Sequence, residues 1–294
     1  MIAEIFTIIA PVIVCAGIGF SWAKLRVPYE TQFVTRLVTN VGFPCLIFVS
    51  LVTSDLDADA LGTMGLTAIL SVAVFAAISL AIFKLANIER RVFLPAMMFA
   101  NTGNMGLPLC LFAFGEPGLA LGIAYFTVNG IIGFALIPAI ASGNLNPKGV
   151  LKIPLIWASV AALTVKFGGV PIPEWTMKTL TLIGGFPIPL MLITLGVSLT
   201  QLQASGLGRA FLLSVLRLVM GFAVGWGIGE VMGLDPIAKG VLIIECAMPV
   251  AVFNFLFAQV YNTRPGEVAG TVLISTLLSF ATLPLLMWFV LPGS

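Results

Sequence analysis

The 294-residue chain contains no histidine, three tyrosines and only 9% charged residues. Without histidine a Ser-His dyad is impossible, no aspartate pair lies inside an apolar stretch, and no phosphate-binding glycine loop with its lysine is present. Hydrolytic and ATP-driven chemistry therefore lack their residues, and the chain reads as no enzyme. The four cysteines, Cys15, Cys45, Cys110 and Cys246, all sit in apolar stretches without CxxC spacing. Such placement suits small buried side chains and argues against a disulfide framework or a metal centre. Loops long enough for a soluble domain are missing as well. No cofactor and no nucleic-acid partner is expected.

What the chain does have is apolar surface: 60% hydrophobic residues and a mean hydropathy of +1.13. A soluble domain of this length cannot carry that composition, so the chain is read as an integral, multi-pass membrane protein. Ten apolar segments span 4–23, 31–52, 62–86, 92–114, 118–141, 153–169, 175–199, 209–232, 237–258 and 267–290. The first is led by Glu4 rather than basic residues, so it is expected to be retained rather than cleaved. Lys24, Arg26, Arg36, Lys84, Arg90, Arg91, Lys148, Lys152, Arg209 and Arg264 collect on one side of such a path, against Lys166, Lys178 and Lys239 on the other. Because positive residues mark the cytoplasmic side, both termini are placed outside the cytoplasm, in a cell inner membrane.

The chain also repeats itself. Gly42-Phe43-Pro44 recurs as Gly185-Phe186-Pro187, Leu61-Gly62 as Leu207-Gly208, and Phe134-Ala135-Leu136-Ile137-Pro138 as Phe280-Ala281-Thr282-Leu283-Pro284. Five spans per half is odd, so residues 1–141 and 153–294 are expected to be inverted repeats related by an axis in the membrane plane. Span four is interrupted by Asn101, Thr102, Gly103, Asn104, Gly106 and Pro108, and span nine by Met248, Pro249 and Val250, with Asn254 one turn on. A helix breaks in hydrocarbon only where protein or a water-lined cavity satisfies the freed peptide groups. Paired breaks in the two halves point to a transporter's binding site at a crossing of helices 4 and 9 near the midplane. There the half-helix N-termini favour an anion and the C-termini a cation. The plainer alternative is that the asparagines and threonine only bond one another across packed helices.

Ionisable residues at membrane depth either pair or function. Arg217 in span eight and Glu245 in span nine each lie about 12 Å from their own surface, at 1.5 Å per residue, so a mutual ion pair is one expectation. The sharper one makes Glu245, with Arg217, a proton or sodium coupling site. Pro44, Pro187 and Pro189 are read as kinks in spans two and seven, since proline removes a donor and clashes with the preceding turn. The glycines of spans one, five and eight are read as close-packing positions.

The run Asn101 to Leu109 resembles the first crossover motif of the auxin efflux carrier family, whose plant members are the PIN proteins. Met248 to Tyr261 is similar to that family's second crossover. This chain lacks the long cytoplasmic loop of the plant members and looks like a compact bacterial one. The resemblance implies an all-α fold of ten transmembrane helices, bile-acid-symporter-like, working as an elevator. In it 1–52 plus 153–199 form a dimerising scaffold, and 62–141 plus 209–290 form the mobile unit. It implies a small organic anion as substrate, an auxin-like acid or malonate or malate. The family's crossover asparagine carries over to Asn101 and its second-crossover proline to Pro249. The first-crossover proline is replaced by Ala100, so that kink must rest on Gly103, Gly106 and Pro108. The polar residue that often follows the second proline is Val250 here. A transporter-like membrane sensor remains the reading from another class.

Overall fold

A computed structural model describes residues 2–143 and 151–291. Lys148, counted above for orientation, and the last three residues of the second repeat lie outside that range. Among the described residues the chain is helical, with no strand. The helices are α1 (Ile2–Lys24), α2 (Thr31–Leu37), α3 (Phe43–Thr53), α4 (Ala58–Leu85), α5 (Arg90–Met98), α6 (Leu107–Ser142), α7 (Pro154–Gly168), α8 (Glu174–Gly184), α9 (Pro187–Gln201), α10 (Leu207–Val231), α11 (Pro236–Ala247), α12 (Val252–Val260) and α13 (Pro265–Val290). Among the described residues seven helical stretches are long and apolar enough to cross a membrane, and α7 is a shorter apolar helix.

Local chemistry sets several starts. Asp57 accepts the Ala60 N–H at the head of α4, and Asp235 accepts from Ile237 and Ala238 with Pro236 at the first helical position of α11. Each carboxylate satisfies N–H groups that no helix turn can reach. In span two Val38–Gly42 forms a π-helical turn between α2 and α3, with Pro44 just after it. In span seven the corresponding Gly185 and Phe186 separate α8, which ends at Gly184, from α9, and Pro187 and Pro189 occupy the first turn of α9. The two interruptions touch. A Cβ on Gly42 would lie 2.6 Å from Pro187 Cγ, and one on Gly184 would lie 3.1 Å from the Leu46 backbone.

Helical bonding runs from Leu107 to Ser142, but Gly115, at φ 66° and ψ −155°, turns the chain back. That conformation is open essentially to glycine alone. Beyond it Gly122 faces Leu107 and Cys110 within 3.4 Å of where a Cβ would stand. A straight helix would hold Gly122 about 20 Å from those residues. So α6 is a hairpin of two packed helices.

The closest helix packing falls into two groups, which also touch where α1 meets α6 and α13 and where α3 meets α6. In one, α1 lies against α9, and α3 against α7 and α8. In the other, α10 lies against α11, α13 and α4, and α4 against α5 and α6. On its exposed end the second set is tied by Arg209 to Glu267 at 2.9 Å, and by Arg264 to both Glu267 and Glu89. The contact of α1 with α9 is backbone on backbone, since a Cβ on Gly19 would stand 1.9 Å from Ile193 O and one on Gly196 1.9 Å from Ala16 O. Small residues allow such approach where no water drives helices together.

Replacing Gly196 with Ala should separate α1 from α9 and cost about 1–3 kcal/mol by overpacking. In a detergent thermal-shift assay Gly196→Ala should melt several degrees low. Gly17→Ala, where nothing stands within 4 Å, should match the wild type.

Candidate functional site: a crossover of two broken helices

The breaks in spans four and nine meet. Phe99, Ala100 and Asn101 run antiparallel to Pro249, Val250 and Ala251, with an isolated bridge between Ala100 and Val250. The Asn101 N–H donates to Pro249 O at 2.8 Å, and the Ala251 N–H donates to Phe99 O at 3.3 Å. Val250 N donates to Ser275 Oγ at 3.1 Å. Three N–H groups and two carbonyls released by the breaks are thus satisfied by protein alone.

On leaving the crossing the chain starts two half-helices. One begins as a π-helical turn at Thr102–Gly106, in which Met105 and Gly106 both donate to Asn101 O. The other begins at Val252. The first N–H groups of a helix have no acceptor within it and carry the positive end of its dipole. Both starts border one cavity of about 190 Å³. Its floor is Asn101, Thr102, Gly103, Asn104, Val252 and Phe253, and among the described residues no Lys, Arg, Asp or Glu lines it. From Asn101, 3% exposed, it runs past Thr194 and Ser198 to Gln201 and Thr31 at the ends of α9 and α2. The Asn101 Nδ2 has no hydrogen-bond partner.

Four residues singled out from sequence therefore line the cavity, Asn101, Thr102, Gly103 and Asn104. Met248, Pro249, Val250 and Asn254 do not. They build the crossing instead: Asn254 Nδ2 donates to Phe99 O and Ala251 O, both at 3.1 Å. Pro108 is buried in the first turn of α6, and Gly106 backs onto Glu245. Sequence reasoning missed Asn129 and Phe126 of α6, Thr35 and Thr39 of span two, and Thr194, Ser198 and Gln201 of α9. The one available signal was Asn129, an amide within an apolar helix that is 2% exposed.

Behind the crossing lies a second group of polar residues, none of which touches the cavity. Glu245 is fully buried. Its Oε1 lies 3.6 Å from the Cys110 thiol, its Oε2 has no partner, and both oxygens press on Gly106, where a Cβ would stand 2.3 Å from Oε2. Arg217, also fully buried, does not pair with it. The guanidinium sits 4.6 Å from the Phe75 ring centroid and donates through Nη2 to Cys246 O at 3.0 Å. Its Nε and Nη1 have no partner. The ion pair expected from depth fails because depth ignores direction. Arg217 caps the carbonyl end of α11, where cations are favoured, while Glu245 points into the α6 hairpin. Tyr125 joins the group, sharing a 2.7 Å hydrogen bond with Ser71 and meeting Cys246 Sγ at 3.4 Å.

Comparison with known proteins finds membrane transporters. The family described as Membrane transport protein matches residues 4–143 and 139–287. An uncharacterized transporter of Methanocaldococcus jannaschii is 28% identical over 71% of this chain and 71% of its own length. An uncharacterized transporter of Methanothermobacter thermautotrophicus is 27% identical over 87% of this chain and 88% of its own. The auxin efflux carrier component 1 of Arabidopsis thaliana is 26% identical over 42% of this chain, a fifth of the plant protein's length. With matches reaching across nearly all of its length, the chain belongs to the membrane transport protein family that includes the auxin efflux carriers.

Proposed function

We propose that the protein is a carrier of small organic carboxylates that binds them at the helix crossover and exposes them to each side of the membrane in turn. The supporting observation is the single cavity in which two half-helix N-termini and the unpartnered Asn101 amide converge without any charged side chain. Two helix ends at about half an elementary charge each supply roughly one positive charge, enough to hold one carboxylate. Phe43, Phe126, Phe134 and Phe253 form apolar walls for the rest of the molecule.

The path through the membrane is read as ten crossings: α1, α2 with α3, α4, α5 with the first arm of α6, the second arm of α6, α7, α8 with α9, α10, α11 with α12, and α13. Two inverted repeats of five account for the two breaks and for the touching interruptions at Gly42 and Gly184. The set holding α1 to α3 and α7 to α9 serves as scaffold and forms a homodimer. The other set moves as an elevator. The cavity separates the two sets and leads to Thr31 and Gln201, near the ends richest in Lys and Arg, so this conformation faces the cytoplasm. The bilayer is a cell inner membrane, with both termini outside the cytoplasm.

Proteoliposomes should take up labelled malonate, malate or indole-3-acetate. Failure to move any mono- or dicarboxylate, with or without an ion gradient, contradicts the reading. Removing the amide in Asn101→Ala should weaken substrate binding about tenfold or more, since hydrogen bonds to charged groups are worth about 1.5–3 kcal/mol. Asn254→Ala should lower thermal stability as well, because it unties the crossing. A membrane-impermeant thiol reagent should label Gln201→Cys from the cytoplasmic face and not from the other.

A further inference from the structure

Among the described residues, Arg217 and Glu245 are the two charged side chains that are buried, and both lie in the set of helices assigned to the moving unit. They do not touch each other, and neither has a full set of partners. The titratable groups around Glu245 lie on three elements: Cys110 on α6, which meets it directly, Cys246 beside it on α11, and Tyr125 on α6 and Arg217 on α10, both of which reach it only through Cys246. The helix packed behind them, α4, turns Ser71 and Phe75 toward the group, and its ionisable residues, Asp59 and Lys84, lie in its first and last turns.

A carboxylate in such a place has two ways to lower its desolvation cost, a cation or a proton. A hard cation such as sodium needs several oxygen ligands. The oxygens of Glu245 instead meet the Cys110 sulfur and the surfaces of Gly106 and Gly122. That surrounding suits a proton. The position also matters, because Gly106 belongs to the turn Thr102–Gly106 whose opposite end forms the cavity floor. Substrate and carboxyl group thus lie against one helical turn. Two negative charges there repel, so protonation of Glu245 favours the anion, and the anion favours the proton by the same factor.

Resting on the carrier reading above, we propose that Glu245 is a proton-binding site that trades its negative charge for that of the bound anion, which makes the protein a one-to-one proton–anion symporter. Arg217 is the fixed countercharge. With the site empty, ionised Glu245 balances Arg217. With a monovalent anion bound, or a dicarboxylate carrying one charge, Glu245 takes up a proton and the anion supplies the balance. The moving unit crosses the bilayer electrically neutral in both states, and either state alone with the wrong proton count leaves an uncompensated charge at membrane depth.

The test is uptake of a labelled carboxylate into proteoliposomes containing a pH-sensitive dye, with the membrane potential clamped. In the wild type, one proton should enter per anion, and an inward proton gradient should raise uptake at least tenfold. Glu245→Gln keeps the loaded state neutral and spoils the empty one. It should therefore retain exchange of internal for external anion within about twofold while losing gradient-driven net uptake by more than tenfold, and Glu245→Asp should recover it. Wild-type anion entry without protons, or a Glu245→Gln variant that answers the gradient as the wild type does, overturns the proton site and leaves the carrier standing. If Glu245→Gln does not fold, the wild-type dye record decides. No uptake of any carboxylate by the wild type is the different result that removes the carrier reading itself.

Discussion

Peptide groups freed inside hydrocarbon must find partners in the protein, and that constraint organises this molecule. Each of two helices stops midway, and each gives the other what it has lost: Asn101 N–H goes to Pro249 O and Ala251 N–H to Phe99 O. Ser275 and Asn254 take up groups that remain. With these backbone groups paired, the two helix starts that leave the crossing stay open toward one cavity. The polarity of the site therefore comes from the backbone, and no charged side chain has to be buried to make it.

Side chains around the crossing serve this arrangement in two layers. In front, amides and hydroxyls from α6, α9 and span two line a path between the two packed sets of helices. Behind, Arg217 caps the carbonyl end of α11 and Glu245 braces the first turn after the other break. Glycine sets the spacing in both places. Gly106 leaves room for the carboxylate, Gly103 for the ring of Phe126, and Gly19 with Gly196 lets α1 and α9 touch. Gly19 and Gly196 cannot grow without parting the two backbones, and a larger residue at Gly103 or Gly106 would have to displace the Phe126 ring or the Glu245 carboxylate.

The crossing was legible in the sequence because it violates a rule with few exceptions: glycine, asparagine and proline do not interrupt an apolar span without a reason. The membrane class and the family were equally legible, from composition and from the runs at Asn101 and Met248. Direction was not. Hydropathy places Arg217 and Glu245 at similar depth, yet the side chains leave α10 and α11 toward different neighbours. Asn254 and Val250 looked like ligand contacts because they sit at the break, and only the fold shows that the break consumes them. The cavity walls came from helices that sequence reading treated as plain spans, since Thr194, Ser198 and Asn129 are unremarkable until α9 and α6 face the crossover. The apolar segments 92–114 and 118–141 part at Gly115, which reverses the chain there although helical bonding runs on through α6.

The central claim is that the paired helix starts hold an anion. It is tested most directly by a density map of the protein with a heavy-atom-labelled carboxylate, such as an iodinated aromatic acid. The account predicts the carboxylate between the backbone of Thr102–Asn104 and that of Val252–Phe253, with its apolar body against Phe126 and Phe134. A ligand bound at saturating concentration anywhere outside that cavity, or an empty crossover beside a transported acid, would contradict it.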